Sequence, residues 1–196
     1  MTERRVIYTI GHSTRAIRAF VELLRAHGVE QLVDVRTIPR SRHNPQFNRP
    51  ALARSLHAMK IRYRYLKPLG GLRHARPDSI NLGWRNASFR GFADYMQTED
   101  FAAGLARLEQ LAIRRATAIM CAEAVPWRCH RSLIADALTV GRWRVRHIQS
   151  RRTARAHKRT SFLRVRSGML RYPREGIPGS RGNPRKDPAR RRPKPG

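Results

Sequence analysis

Two strand-like segments on either side of a helical one open the chain, and this order constrains the fold more than any other feature. Residues 6–10 and 31–36 are short runs rich in β-branched side chains, which is typical of buried strands. Between them Ile17 and Leu24 recur at helical spacing, and Gly28 marks the end of the predicted helix. A strand, a helix and a second strand in this order form a βαβ unit, which predicts a parallel sheet.

The same patterns continue along most of the chain. They predict further helices near residues 50–59, 98–112 and 130–138, strands at 61–66, 116–121 and 144–148, a long loop at 72–88 and a turn at 89–92. The last strand would close the sheet. Ser167-Gly168, between two short strand-like runs, predicts a C-terminal β-hairpin. We therefore predict one α/β domain over residues 1–175, with a mainly parallel central sheet flanked by helices.

Positive charge is concentrated towards the carboxyl terminus. The chain has 42 Lys and Arg against 13 Asp and Glu, a net charge of +29, and residues 141–196 contribute 19 basic and 2 acidic side chains of these. Residues 176–196 are rich in Pro, Gly and Arg, so we predict a disordered basic tail. Such a field attracts polyanions, which makes nucleic acid a candidate partner. No helix-turn-helix, zinc-finger or RNA-platform motif is present, and an arginine-rich surface explains the same excess.

Cysteine content and hydropathy indicate the compartment. Two cysteines cannot build a disulfide framework, and the amino terminus has no signal-peptide pattern. No apolar run approaches the ~20 residues that a membrane helix needs. We therefore expect a cytoplasmic protein with reduced thiols and no membrane contact. The sequence does not indicate an oligomeric state.

Six chemically active side chains lie between the strand at residues 116–121 and the helix at 130–138. They are Cys121, Glu123, Arg128, Cys129, His130 and Arg131. Glu123 follows an apolar strand end, where partial desolvation would suit its carboxyl group to general acid or base chemistry. The alternative is an ion pair of Glu123 with Arg128 or Arg131 that orders the loop.

The two cysteines are candidate nucleophiles. Cys129 lies near a helix start beside His130, and such surroundings stabilise a thiolate. Cys121, on a strand, is either a second nucleophile or buried packing. Their spacing fits none of the familiar zinc motifs, so we predict no metal site. Arg128 and Arg131 could bind an anion, because guanidinium groups pair with phosphate or carboxylate oxygens.

Other polar residues follow the predicted strand ends, where open parallel sheets bind their ligands. To substrate or anion binding we assign His12, Ser13, Asp34, Arg36, Arg42, Gly70, Gly71 and Arg73. Two alternatives stay open. Asp34 and Arg36 could form only an internal ion pair, and Arg42 could belong to a solvated basic loop.

Six motif groups in one order resemble the domain of unknown function 488 family. They are Tyr8-Thr-Ile-Gly-His-Ser-Thr14, Leu32-Val-Asp-Val-Arg36, Pro39-Arg-Ser-Arg42 with Phe47-Asn48, Leu69-Gly-Gly-Leu-Arg73, Phe89-Arg-Gly-Phe-Ala-Asp-Tyr-Met96, and Met120-Cys-Ala-Glu123 with Cys129-His-Arg131. A closing motif from His157 to Pro173 extends the resemblance over residues 5–175, with Ser161 where proline is expected. The resemblance implies a cytoplasmic α/β domain and marks Cys121, Glu123, Cys129, His130 and Arg131 as the family signature. It implies neither a reaction nor a cofactor.

These residues favour a small α/β enzyme that acts on a phosphate-bearing or other anionic substrate, such as a nucleotide or nucleic acid. Arg128 and Arg131 would hold the anion, Glu123 would transfer a proton, and Cys129 or Cys121 would be a nucleophile or part of the pocket wall. The alternative is a non-enzymatic nucleic-acid-binding module that uses its basic loops and tail. The sequence names no substrate, reaction or cofactor.

Overall fold

The computed structural model describes residues 5–174, so the tail predicted at residues 176–196 lies outside the described residues. The α-helices of this part are α1 (Ile17–Ala26), α2 (Arg49–Ala58), α3 (Ala87–Tyr95), α4 (Glu99–Arg114) and α5 (Arg131–Val140). Its strands are β1 (Val6–Gly11), β2 (Gln31–Asp34), β3 (Arg62–Tyr65), β4 (Thr117–Cys121), β5 (Arg144–Ile148), β6 (Ala154–Ala156), β7 (Arg164–Arg166) and β8 (Met169–Arg171). Short 3-10 helices lie at Pro45–Phe47, Lys67–Leu69 and Pro126–Arg128.

The central sheet has the strand order β3-β2-β4-β1-β5-β6. Its first five strands are parallel, and β6 is antiparallel to β5. The predicted mainly parallel α/β fold is therefore confirmed. The prediction that residues 144–148 close the sheet is wrong, because β6 pairs outside β5 and forms the edge of the sheet.

Helices cover both faces of the sheet. Alternate residues of β4 belong to different cores: Ala118 and Met120 pack with α1 and α2, whereas Ile119 and Cys121 pack with α3, α4 and α5. This alternation follows from the two-residue repeat of a strand. Apolar burial on both faces explains why β4 is a continuous apolar run.

Helix α3 replaces the turn predicted at residues 89–92. The Asn86 side chain accepts hydrogen bonds from the backbone N–H groups of Ser88 and Phe89, at 2.9 and 3.3 Å, and so caps the helix. Gly91 lies inside α3, where a side chain would collide with the backbone around His74. The prediction of a turn was wrong because this glycine serves close packing rather than a change of chain direction.

The loop before α3 is tied to the buried Asp94 of that helix. Asp94 accepts hydrogen bonds from the backbone N–H of Arg76, the Ser79 hydroxyl and the Asn81 amide, at 2.9, 2.6 and 2.8 Å. These bonds hold the long loop, which runs from residue 72 to 86, against the domain. No helix of the described part is long and apolar enough to span a membrane.

The C-terminal hairpin forms as predicted. Ser167 and Gly168 have φ angles of 48° and 77°, so both turn residues lie in the left-handed region that a two-residue hairpin of the I′ type requires. The turn connects β7 with β8, which pair outside the central sheet.

Asp136 on α5 anchors the segment that leads into and out of this hairpin. The fully buried carboxylate accepts hydrogen bonds from His157 Nε2 at 2.8 Å, from the N–H and hydroxyl of Thr160 at 3.0 and 2.7 Å, and from the Tyr172 hydroxyl at 3.1 Å. Each donor belongs to the chain after β6. This carboxylate therefore attaches residues 157–172 to the helix.

Replacing Asp136 should destabilise the domain severely. Asp136→Ala leaves the donor side chains of His157, Thr160 and Tyr172 without their acceptor, and we expect the free energy of unfolding to fall by about 3 kcal/mol or more. Chemical denaturation measures the change. Asp78→Ala is the control, because Asp78 is exposed and its ion pair is with the equally exposed Arg76; this change should leave the free energy of unfolding nearly unchanged. Equal losses in both variants would show that Asp136 does not anchor the segment.

Candidate functional site

A crevice opens where β1 and β4 end side by side. After β1 the chain enters α1 on one face of the sheet, whereas after β4 it enters α5 on the other face. Neighbouring parallel strands with such diverging connections leave a ligand-binding crevice at their carboxyl ends. Beyond the strands, His12 N–H donates to the Cys121 carbonyl at 3.0 Å and Ser13 N–H donates to the Ala122 carbonyl at 2.9 Å.

A cavity of about 620 Å³ occupies this crevice. Residues that follow β1, β2, β3 and β4 contribute to its wall, among them His12, Ser13, Arg36, Thr37, Arg40, Asn44, Gly71, Ser88, Cys121, Glu123, Arg128, Cys129 and His130. Most of the side chains singled out from the sequence therefore meet at one place. Thr37 and Ser88 were missed, although the asparagine cap before α3 could have placed Ser88 at a helix start.

The two thiols form one unit. Their Sγ atoms are 2.7 Å apart, and Cys121 and Cys129 are only 2% and 7% exposed. Burial opposes ionisation of Cys121, but the hydrogen bond from Cys129 and the positive charge of Arg131 outweigh it and lower the pKa of Cys121. The same hydrogen bond, together with burial, raises the pKa of Cys129. The two pKa directions favour Cys121 as the thiol that ionises first, whereas the Sγ–Sγ contact itself fits either thiol as the donor.

His130 is held neutral beside this pair. Its Nε2 donates to the Val35 carbonyl at 3.1 Å, which leaves Nδ1 unprotonated and 3.5 Å from the Sγ of Cys129. Burial lowers the pKa of His130 to about 4. Gly71 packs so closely on the imidazole that any side chain at position 71 would overlap the ring. The absence of a side chain at position 71 thus leaves the space that the His130 ring occupies.

Asp34 and Arg36 form the internal ion pair that the sequence left as an alternative. The Arg36 guanidinium donates to both carboxylate oxygens, at 2.9 and 2.6 Å, and neither side chain is more than 6% exposed. The Nη1 of Arg36 donates to Nε2 of His12 at 3.4 Å. The Nδ1 of His12 donates to the Ser13 carbonyl at 2.7 Å, and the His12 ring stacks on Phe47. Burial lowers the pKa of His12. These contacts make a neutral, rigid wall.

Glu123 is exposed, so the desolvation expected from its sequence position is absent. Its carboxylate accepts the Val125 N–H at 3.4 Å. Within residues 5–174 it forms no ion pair with Arg128 or Arg131, which corrects that alternative. Glu123 lines the cavity as a solvated carboxylate.

Five of the residues assigned to substrate or anion binding do not line this cavity: Asp34, Arg42, Gly70, Arg73 and Arg131. Arg73 lies over the ring of Tyr95, 3.5 Å from its centroid, and donates to the Gly70 carbonyl at 3.2 Å. Arg131 donates to the carbonyls of Glu123 and Ala124, at 3.2 and 3.3 Å, and lines a different cavity from Arg128. The structure does not bring Arg128 and Arg131 together on one ligand.

In the part of the chain that the structure describes, no group of three or more His, Cys, Asp or Glu side chains is arranged to hold a metal ion. The cavity at the ends of β1 and β4 instead combines an ionisable thiol, a solvated carboxylate and exposed guanidinium groups.

The family model described as Domain of unknown function DUF488 matches residues 16–138. The chain belongs to this family. Among curated proteins and solved structures, none matches the chain. The region of this DUF488 protein that matches includes both cysteines, Glu123, Arg128 and His130. The match ends at residue 138, before the segment of residues 157–172 that Asp136 anchors.

The assignment of the thiolate can be tested by titrating the thiolate absorbance in the ultraviolet. Cys129→Ala should raise the pKa of Cys121 by about one pH unit or more, because a hydrogen bond to a charged group contributes about 1.5–3 kcal/mol. Cys121→Ala, the matched control, should abolish the thiolate that forms first. If that early ionisation survives in Cys121→Ala and disappears in Cys129→Ala, the roles of the two thiols are reversed.

Proposed function

We propose that this DUF488 protein is an enzyme that acts on a phosphate-bearing or other anionic small molecule, with Cys121 as the nucleophile. The observation that carries the proposal is the thiol pair, 2.7 Å apart, in the wall of a cavity that exposed arginines also line. A thiolate supplies the nucleophile, and the guanidinium groups supply charge for an anionic substrate.

Arg40 and Arg128 are the groups best suited to hold the anion. Both are exposed and line the cavity, and neither forms an ion pair with a residue between 5 and 174. The guanidinium group of Arg36, by contrast, already forms an ion pair with the Asp34 carboxylate. Unpaired guanidinium groups can form charge-assisted hydrogen bonds with a ligand without first breaking an internal pair.

The size of the cavity favours a small substrate. Its volume of about 620 Å³ lies within the range of roughly 300–1,000 Å³ that is usual for small-molecule sites. A nucleotide or a sugar phosphate fits this range, and the end of a nucleic-acid strand could enter in the same way. A double helix is too wide to enter such a cavity.

The proposed reaction is a hydrolysis in two steps. The Cys121 thiolate attacks the electrophilic centre of the substrate, and the bond to the leaving group breaks as the sulfur bond forms. The leaving group departs with the bonding electrons and takes a proton from solvent. Water then attacks the bound centre, the Glu123 carboxylate accepts the water proton, and Cys121 leaves as a thiolate. The cycle needs reduced thiols, which the cytoplasm would provide.

The enzyme proposal is tested by screening nucleotides and sugar phosphates for thermal stabilisation and then for turnover. Against the best substrate, Cys121→Ser should lose at least about a thousandfold in kcat. Arg128→Gln should raise KM by about tenfold with little change in kcat, because it removes one charged contact. Arg54→Gln is the matched control, since Arg54 is exposed on α2, away from the cavity. Full turnover by a folded Cys121→Ser protein would rule out the proposed nucleophile.

Non-enzymatic nucleic-acid binding remains the second candidate, and the distribution of charge favours it. Residues 141–196 carry 19 basic and 2 acidic side chains, a net charge of +17. Lysine and arginine that neutralise phosphates release counterions, so binding of this kind weakens steeply with salt.

Deleting residues 176–196 separates the two candidates. The deletion removes seven basic and one acidic side chain, so the affinity for a DNA oligonucleotide should fall and its dependence on salt should become shallower. Fluorescence anisotropy at several salt concentrations measures both, and turnover of any substrate should be unchanged. Unaltered affinity and salt dependence would show that the tail does not contribute to nucleic-acid binding.

A further inference from the structure

A second cavity, of about 210 Å³, lies beside the first. Its wall includes Thr9, Arg15, Trp127, Arg131 and His147. Ala124 belongs to the walls of both cavities, so the loop after β4 separates them. The smaller cavity contains neither cysteine in its wall and is distinct from the site of the proposed reaction.

Arg131 is buried in this wall with donors that have no acceptor. The side chain is 1% exposed, and its Nη2 is shared between the carbonyls of Glu123 and Ala124. The buried Nε and Nη1 have no hydrogen-bond partner, and no carboxylate of residues 5–174 forms an ion pair with the guanidinium. It is unfavourable to leave a buried charge without such partners. A ligand with acceptor oxygens could supply the partners that the protein lacks here.

Arg15 brings a second positive charge to the same cavity. It is half-buried, and its Nη1 donates to the Gly11 carbonyl at 2.6 Å. Burial, and then the positive charge of Arg131, lower the pKa of Arg15, which indicates that the two guanidinium groups repel each other. An anion between them would relieve this repulsion.

The remaining polar wall is neutral. His147 Nδ1 is 2.7 Å from the Thr9 hydroxyl, its Nε2 is 3.0 Å from His157 Nδ1, and His157 Nε2 is 2.8 Å from the Asp136 carboxylate. Burial, followed by the charges of His157 and Arg131, lowers the pKa of His147 to about 3, so this ring is uncharged. The Asp136 carboxylate lies at the far end of this chain of hydrogen bonds, where it also accepts hydrogen bonds from other donors.

We propose that the smaller cavity is an oxoanion site in which Arg131 and Arg15 bind a phosphate group. The oxygens of the anion would accept the free N–H groups of Arg131, and guanidinium groups suit phosphate because of their planar fork of donors. The volume of about 210 Å³ is below the roughly 300–1,000 Å³ of ordinary small-molecule sites. It therefore favours inorganic phosphate or a small phosphate ester over a nucleotide.

Occupancy of this site would also affect the loop that carries Glu123. Arg131 already holds the carbonyls of Glu123 and Ala124, so an anion that fixes the guanidinium also fixes this part of the wall of the larger cavity. The inference does not depend on the proposed reaction, because it rests on Arg131, Arg15 and a separate cavity.

The test is a titration of the full chain with inorganic phosphate at constant ionic strength, followed by NMR of the histidine ring nitrogens. His147 should show a saturable shift, because its ring lines the cavity and senses the charge of Arg131. Arg15→Gln should weaken the apparent affinity by about tenfold or more, since it removes a charged donor. Arg128→Gln, in the larger cavity, should leave the His147 titration unchanged.

A second variant keeps the test decisive if Arg15→Gln folds poorly. Gln149 is exposed at the cavity, and Gln149→Glu would place a carboxylate there that competes with phosphate for the guanidinium groups. It should weaken phosphate binding by about tenfold as well. Gln110→Glu is the matched control, because it makes the same charge change on the exposed surface of α4.

Titration with glycerol phosphate in parallel identifies the source of the phosphate group. Tighter binding of the ester assigns the site to phosphorylated small molecules, and tighter binding of inorganic phosphate assigns it to the free ion. Two results would overturn the proposal. The first is no saturable shift of His147 at millimolar phosphate, which means that the cavity holds water only. The second is a shift that Arg128→Gln weakens and Arg15→Gln does not, which places the anion in the larger cavity.

Discussion

The close approach of the loop after β4 to the end of β1 is the contact on which the rest of the site depends. Gly11 is opposite Cys121 in the parallel register of these strands, and any side chain at position 11 would overlap the Glu123 carbonyl. Only glycine lets the loop cross here. The crossing holds His12 against the cysteine strand through a backbone hydrogen bond, and it separates the larger cavity from the smaller one. The absence of a side chain at position 11 thus allows the loop crossing that separates the two cavities.

Three buried charged side chains, Asp34, Asp136 and Arg131, differ in how far other groups of the domain satisfy them. Asp34 is neutralised by Arg36, and Asp136 is surrounded by hydrogen-bond donors, so both carboxylates hold chain segments together at little electrostatic cost. Arg131 is equally buried but keeps two donor atoms without partners. Because native interiors rarely leave such groups unsatisfied, this contrast supports the proposal that Arg131 binds a ligand.

Much of the fold could be predicted from hydrophobic periodicity, since each core strand and most helices have an apolar pattern of the right period. The failures have physical causes. β6 has only three residues, and its first, Ala154, is the one that is buried, so no alternation is visible. α3 contains Gly91, which normally signals a turn but here permits close contact with the preceding loop. In both cases tertiary packing decided the local structure, and a single sequence does not show packing partners.

The candidate site was predictable in its position but not in the direction of its side chains. Parallel strand ends must meet at one edge, so the convergence of His12 with the cysteines follows from topology alone. The directions of Arg128 and Arg131 do not, because Arg128 ends a 3-10 helix and Arg131 begins α5, with two residues between them. The sequence also could not show which of the two thiols ionises first. Sequence neighbours favour Cys129 as the thiolate, yet two thiols in contact share their first ionisation, and the lowered pKa of Cys121 and raised pKa of Cys129 favour Cys121 instead. Since Arg131 stabilises that charge from the side of the smaller cavity, an anion bound there would partly cancel its effect on Cys121. An anion in the proposed site would therefore couple the two cavities electrostatically through this guanidinium group.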